Sequence, residues 1–342
     1  MVVTKVGFGG IPLQRLSDED AVRTIRRGLD QGINWVDTAH GYGTSEERFG
    51  KAIKKYERNR IRVFTKGPGQ DPEAIREQMA CSFERLDVEV IDLYQFHNVK
   101  SPEALKAMQE NGTIDAVLEM KQKGRILHVG ASAHTLDAAL AALDHPEIEV
   151  IQFPFNFIMI DDSYKVLERC RQRKAGFIAM KPFGGGILGD AEVCVRFQLQ
   201  YPDVVLDPGF EKMEEVDQVV ALCNEWAASG KPDLTEENRR TIERLREELG
   251  TSFCRRCGYC MPCPNGVLIP NIMSTQSFIK RMPTERLFSG FVLNNIASYD
   301  NCIDCGECEE KCPYKLSIRE TMKFWVEKHR ELQREYEKQA AG

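Results

Sequence analysis

Lys5-Val6-Gly7-Phe8-Gly9-Gly10-Ile11-Pro12, near the start of the chain, decides between two parallel-sheet folds. Gly7 and Gly9 begin the glycine pattern of an open, doubly wound sheet, but Pro12 stands where its third glycine would fall. Outward from this strand the pattern alternates strictly. Apolar strand-like segments occur at Lys5–Gly9, Asn34–Ala39, Arg62–Lys66, Asp92–His97, His128–Ser132, Val150–Asn156, Gly176–Pro182 and Asp203–Gly209. Between them, stretches such as Asp18–Gln31, Pro72–Leu86 and Ser163–Lys174 carry apolar residues at helical steps. Ser17 before an acidic turn and Asp71-Pro72 mark helix starts. Eight such units predict an α/β fold, a closed (β/α)8 TIM barrel.

The chain has 342 residues, more than the roughly 250 that such a barrel uses. The expected division is a barrel over 1–230, a linker helix over 231–250, a cysteine-bearing domain over 251–320 and a C-terminal helix over 321–342. Lys231-Pro232-Asp233 is a break, Leu234-Thr235-Glu236 a capped helix start, and Gly250 a helix end. A net charge of −6 and a pI near 5.7 argue against nucleic acid as a partner. No apolar run approaches the roughly 18 residues that cross a bilayer, so no membrane role is expected. With no signal-peptide pattern at its start, the chain is expected to be cytoplasmic.

Eight of the twelve cysteines lie in two runs: Cys254, Cys257, Cys260 and Cys263, then Cys302, Cys305, Cys308 and Cys312. Pro264 and Pro313 follow the last cysteine of each run. The second run has the C-x2-C-x2-C-x3-C-P spacing of bacterial ferredoxins, whose fourth cysteine serves the other cluster. Zinc usually takes two separated cysteine pairs, so two [4Fe–4S] clusters fit these continuous runs better. The first run closes with a two-residue step, which leaves open which cluster Cys263 serves. The segment between the runs, with Ile279–Met282 and Glu285–Leu293, predicts a mainly helical module. Cys81, Cys170, Cys194 and Cys223 fall in helix-like segments as buried apolar residues.

In a barrel of this kind the chemistry sits at the C-terminal ends of the strands. Those positions hold Asp37, with Tyr42 just beyond it, then Lys66 and His97. Singly, each has an ordinary use as a helix cap, a solvated charge or a core histidine. Together they bring four polar, titratable groups to one mouth. A lysine paired with a carboxylate holds a neighbouring phenol ready to donate a proton, and an imidazole can orient and polarise a carbonyl oxygen.

The stretch Trp35-Val36-Asp37-Thr38-Ala39-His40-Gly41-Tyr42-Gly43-Thr44-Ser45-Glu46 resembles the aldo-keto reductase signature. Phe64-Thr65-Lys66 and Tyr94-Gln95-Phe96-His97 resemble the segments carrying that family's lysine and histidine. The similarity runs from about residue 4 to 225, and the cysteine region resembles the branch with an appended ferredoxin-like, two-cluster domain. The resemblance implies hydride transfer between NADPH or NADH and a small aldehyde or ketone. It assigns Tyr42 as general acid, Lys66 and Asp37 as its tuning pair, and His97 as the group aligning the carbonyl.

For the nicotinamide cofactor, the resemblance places Ser132 and Gln152 against the carboxamide. Met180, followed by Lys181 and Pro182, replaces the usual stacking aromatic residue. Pro208 and Gly209 end the eighth strand, and Phe210–Glu215 opens a helix that would hold the ribose phosphate. Glu211 stands at the place of the family's 2′-phosphate arginine, beside Lys212 and near Glu215. A carboxylate opposes a phosphate dianion and can accept from a ribose hydroxyl, which makes NADH a contender. Glu211 is equally readable as a favourable first-turn acid. Gly184, Gly185 and Gly186 permit close backbone approach to the pyrophosphate, or serve a loop that needs positive φ.

The family's barrel-floor hairpin has no counterpart before Val2, which puts floor stability in question. In the tail Ile318–Gln339, Met322, Phe324, Trp325 and Val326 form an apolar stripe expected to pack on the barrel. Clusters move single electrons, so they would be structural, sense oxygen, or exchange electrons with a ferredoxin or flavoprotein partner. The competing function is a ferredoxin-like electron-transfer protein that uses the barrel as a docking body. The complete tetrad favours the enzyme.

Overall fold

A computed structural model describes residues 1–341, which form two compact units dividing between Asn238 and Arg239. The first unit holds eight strands: β1 (Phe8–Gly9), β2 (Trp35–Asp37), β3 (Arg62–Gly67), β4 (Ile91–Val99), β5 (Ile126–Ala133), β6 (Val150–Pro154), β7 (Gly176–Met180) and β8 (Val204–Asp207). They lie side by side in chain order, all parallel. Bridges from Val6 to Leu206 and from Gly9 to Gly209 bring β8 back to β1. Gly7 N–H donates to Leu206 O and Leu206 N–H to Lys5 O, each at 2.8 Å, which seals the barrel. Every expected strand is present, several shorter than their apolar runs.

Each crossover carries at least one helix, and the two foreseen starts are capped. Ser17 Oγ accepts from Asp20 N–H at 3.1 Å, opening Asp18–Asp30. The Asp71 carboxylate accepts from Ala74 N–H at 2.8 Å, opening Pro72–Leu86. These acceptors satisfy donors that the first helical turn leaves unpaired.

The glycines of the opening stretch serve side-chain packing. A Cβ on Gly7 would collide with the Trp35 indole, which donates from Nε1 to Thr4 O at 2.9 Å. Trp35 packs with Phe64, Leu93 and Ile178, and Val3, Val150 and Val205 border this cluster. Val3 and Trp35 thus pack in the apolar layer of the barrel, for which the sequence offers no plugging hairpin. Successive inward positions on a strand are two residues apart. The step above this apolar layer therefore brings Asp37, Lys66, Gln95, Gln152, Met180 and Asp207 to the interior, each two residues beyond a member of the layer below. The barrel is apolar underneath and polar at its mouth.

The second unit is helical, as foreseen. After Glu236–Gly250, which spans the division, come Ile269–Ile272, Thr275–Arg281, Thr284–Leu287, Gly290–Ala297, Glu307–Glu310 and Ile318–Ala341. Val267, Ile269, Ile272, Leu316, Met322 and Val326 belong to one core cluster, against which six of the eight run cysteines pack. The tail stripe is the main correction. Met322 and Val326 face this unit's own core, while Phe324 is 58% exposed. Positions 322, 326 and 329 share a helix face with the half-buried Trp325 at its edge, whereas 324 lies well around the turn. His329 completes that face, buried with Nε2 2.8 Å from Leu287 O.

Candidate active site and cysteine clusters

Each tetrad residue is set by a strand or by the loop leaving it. Asp37 ends β2 and Lys66 lies near the end of β3, both fully buried. Lys66 Nζ donates to Asp37 Oδ2 and, at 2.8 Å, to Thr38 O. Burial alone would lower the lysine's pKa, but the Asp37 carboxylate, with Tyr42 and Asp207, raises it above the ordinary value. The ammonium is therefore retained. Gln95 Nε2 donates to Asp37 Oδ1 at 3.2 Å, so the carboxylate is held from two sides.

Tyr42 leaves β2 on a turn in which its N–H donates to Ala39 O at 2.9 Å. Its ring lies 5.3 Å from Lys66 Nζ and meets the His97 ring edge-on at a centroid separation of 5.6 Å. His97 sits where the β4–β5 register shifts, between Phe96 and Val99. Such an irregularity re-aims a strand side chain. Asn98 there has φ 60°, and its N–H donates to Ser132 Oγ at 2.8 Å. Burial first, and the Lys66 charge second, lower the His97 pKa to about 3. The imidazole is neutral at physiological pH. All four candidates from the sequence meet at one mouth.

Asp37 and Lys66 share their layer with Gln95, Gln152 and Asp207, of which the sequence points only to Gln152. Gln152 Nε2 reaches Asp37 Oδ2 at 3.2 Å and Asp207 Oδ2 at 2.8 Å. Gln152 Oε1 and Gln95 Oε1 are shut off from solvent with no donor. An unpaired buried acceptor beside a serine hydroxyl suits a primary carboxamide, so Gln152 and Ser132 fit a nicotinamide. Asp207 was overlooked, although the period-two pattern of β8 turns it inward.

The remaining cofactor candidates lie along β7, β8 and their loops. Met180 ends β7, and Lys181 follows with φ 57°. Asn156 Nδ2 donates to Lys181 O at 3.0 Å and fixes that turn. Beyond Pro182, Gly184, Gly185 and Gly186 have φ of 58°, 72° and 87°, a run suited to residues without a Cβ. Pro208 and Gly209 lie between β8 and the helix Met213–Ala228, which starts later than the expected Phe210. Glu215 caps that start, its Oε2 accepting from Glu211 N–H at 2.8 Å and Lys212 N–H at 3.2 Å. Glu211 thus precedes the first turn instead of occupying it. Its carboxylate pairs with Arg15 at 3.2 Å, a partner absent from the sequence reading. Burial raises its pKa, against the opposing pull of Arg15.

In the second unit, one small cavity is lined by Cys260, Cys263, Cys302, Cys305 and Cys308 among other residues. Burial is the main cause raising the Cys254 thiol, and Cys257 and Cys312 lie close enough to add to it. The fourth cysteine of each run thus neighbours members of the other run. Among the described residues, no three His, Cys, Asp or Glu side chains converge closely enough to hold a single ion. Of the lone cysteines, Cys170 and Cys194 are buried, and burial pushes both thiols up to about 12. Cys81 and Cys223 are half-buried.

Comparison with known proteins agrees with this two-part organisation. Residues 5–193 match the Aldo/keto reductase family, and residues 253–316 match the 4Fe-4S dicluster domain. An uncharacterized oxidoreductase of Schizosaccharomyces pombe is 28% identical over 285 residues, covering 72% of this chain and 90% of that protein. The NADH-specific methylglyoxal reductase of Escherichia coli is 29% identical over 195 residues, which cover 51% of this chain and 59% of the enzyme. The Strobilurus tenacellus aldo-keto reductase str7 is 30% identical, and the matched region spans 60% of it. Among solved structures, an aldo-keto reductase from Klebsiella pneumoniae in complex with NADPH superposes with a TM-score of 0.59 at 22% identity, covering 71% of this chain and 91% of that one. No described helix is long and apolar enough to cross a membrane. The chain therefore belongs to the aldo/keto reductase family and carries a 4Fe-4S dicluster domain C-terminal to its barrel in the sequence.

Proposed function

We propose that this protein is a nicotinamide-dependent carbonyl oxidoreductase acting on a small aldehyde or ketone. One observation carries the proposal: the buried Lys66–Asp37 pair, the Tyr42 ring and the neutral His97 ring meet at one mouth of the barrel. The reduced nicotinamide, when bound, supplies the hydride. Tyr42 gives its proton to the carbonyl oxygen as negative charge develops there. Lys66, kept charged by Asp37, stabilises the phenolate that remains. Neutral His97 donates a hydrogen bond that orients the carbonyl, and it does not compete as an acid. Gln152 and Ser132 would hold the carboxamide. Glu211 and Arg15 form a charge-balanced pair beside the start of Met213–Ala228, which removes the electrostatic objection to a 2′-phosphate. Both NADPH and NADH are therefore candidates. The NADPH-bound Klebsiella structure and the NADH-specific Escherichia coli enzyme show that both choices occur among related proteins.

Cys254, Cys257 and Cys260 with Cys312 would hold one cluster, and Cys302, Cys305 and Cys308 with Cys263 the other. Cys305 is exposed, which would give a ferredoxin or flavoprotein a one-electron route to the second cluster. The test is anaerobic oxidation of NADPH and NADH with a panel of small aldehydes and ketones. Carbonyl-dependent oxidation of either nucleotide supports the enzyme. No turnover, together with rapid electron exchange with ferredoxin, would favour the electron-transfer protein instead.

A further inference from the structure

Asp207 is a second carboxyl group in the layer beneath Tyr42, and the layer does not supply what a second carboxylate would need. Its Oδ2 accepts from Gln152 Nε2 at 2.8 Å, while its Oδ1 is shut off from solvent with no donor. Gly9 leaves the space that Oδ1 occupies, since a Cβ there would lie 2.8 Å from it. Lys66 donates to Asp37 Oδ2 and Thr38 O. The charged side chains acting on Asp207 are Asp37 on β2 and Lys66 on β3. Its β7 neighbour Met180 and its β1 neighbour Gly9 bring no charge. One ammonium facing two carboxylates would leave a net negative charge in a desolvated layer, at a cost that protonation removes. Gln152 Nε2 lies 3.2 Å from Asp37 Oδ2 and 2.8 Å from Asp207 Oδ2, which brings the two acids close enough to share a proton.

We propose that Asp207 is a positioning residue held as the neutral acid, donating to Asp37 and accepting from Gln152, so that a single negative charge faces Lys66. This rests on the reading of Tyr42 and Lys66 as the proton-donating pair. Its consequence is geometric as well as electrostatic. Gln152 is pinned by its amide nitrogen between two acids, which leaves Oε1 as a buried acceptor with no donor. A second charge at 207 would draw on Lys66 and disfavour the phenolate that forms at Tyr42. Burial first, and the Asp37 charge second, raise the Asp207 pKa well above the usual carboxylate range, in agreement with the geometry.

The test compares the full, cluster-loaded protein with Asp207→Asn and Asp207→Leu. Asparagine reproduces the neutral acid: its oxygen accepts from Gln152 and its NH₂ donates to Asp37. In infrared spectra at neutral pH, a protonated-carboxyl stretch should be present in the parent and missing from both variants. Asp207→Asn should retain more turnover and tighter nucleotide binding than Asp207→Leu, and its rate should hold to higher pH than that of the parent. Asp207→Leu should weaken nucleotide binding by about tenfold, the worth of one neutral hydrogen bond. Parental spectra without that stretch, or Asp207→Asn as impaired as Asp207→Leu, would overturn the proposal. A parent that reduces no carbonyl would overturn the functional reading instead, and the infrared comparison would still decide the state of Asp207.

Discussion

At the residue scale, the site is a set of charges that need one another. Lys66 and Asp37 are both fully buried, so removing either leaves an uncompensated charge. Lys66→Met should therefore destabilise the barrel by about 3–5 kcal/mol as well as slow catalysis. Thermal melting checks this, and an unchanged melting temperature would show that the pair is solvated. His97 makes a prediction with a definite sign. Its folded pKa of about 3 lies below its ordinary 6.5, so the neutral ring's contribution is fully present above pH 6.5 and is lost as the pH falls toward 3. Acid melting curves should show this loss in the parent and less of it in His97→Gln. Asp207 acts oppositely, because its raised pKa costs stability as the pH rises from about 4. Asp37, Tyr42, Lys66 and His97 were legible in the sequence because each lies at or just beyond a strand end. Asp207 was not read out, because Asp207-Pro208-Gly209 looks like a turn until the inward phase of β8 is counted.

At the element scale, the eight strands were legible because their apolar runs are separated by helical periodicity. Their ends were less so, since an apolar run such as Val150–Asn156 outlasts the ladder that stops at Pro154. The stretch from Lys5 to Pro12 was read correctly as not belonging to an open sheet, but the use of its glycines was invisible. Gly7 is small because Trp35, distant in sequence, lies across it. Gly7→Ala should consequently cost about 1–3 kcal/mol through overpacking of the barrel floor, read as a lower melting temperature with the clusters still bound. An unaffected variant would mean that the indole has room to move. The tail helix was misread for a related reason. Neighbouring apolar letters at 324–326 suggest one stripe, whereas the helical period sets Phe324 apart from Met322, Val326 and His329. The Arg15–Glu211 pair could not be foreseen, since 196 positions separate its members.

At the scale of the whole molecule, a two-electron site and a pair of one-electron centres share one chain. The cysteine runs made the second unit legible, because thiolate spacing reports cluster geometry directly. The cross-run neighbours Cys263 and Cys312 then make a prediction about metal content. Anaerobically purified protein should hold about eight irons and eight acid-labile sulfides. Cys263→Ser should lose the cluster associated with Cys302, Cys305 and Cys308, leaving about four irons. Loss of the Cys254–Cys260 cluster instead would reverse the assignment. The barrel's activity is the larger claim, and it rests on a phenol proton. The most direct test measures anaerobic carbonyl reduction and nicotinamide affinity side by side in the parent and in Tyr42→Phe. The account predicts a rate reduced by about 10²–10⁴-fold with nucleotide affinity unchanged, because the hydroxyl acts only on the developing alkoxide. Turnover by Tyr42→Phe equal to that of the parent would contradict it.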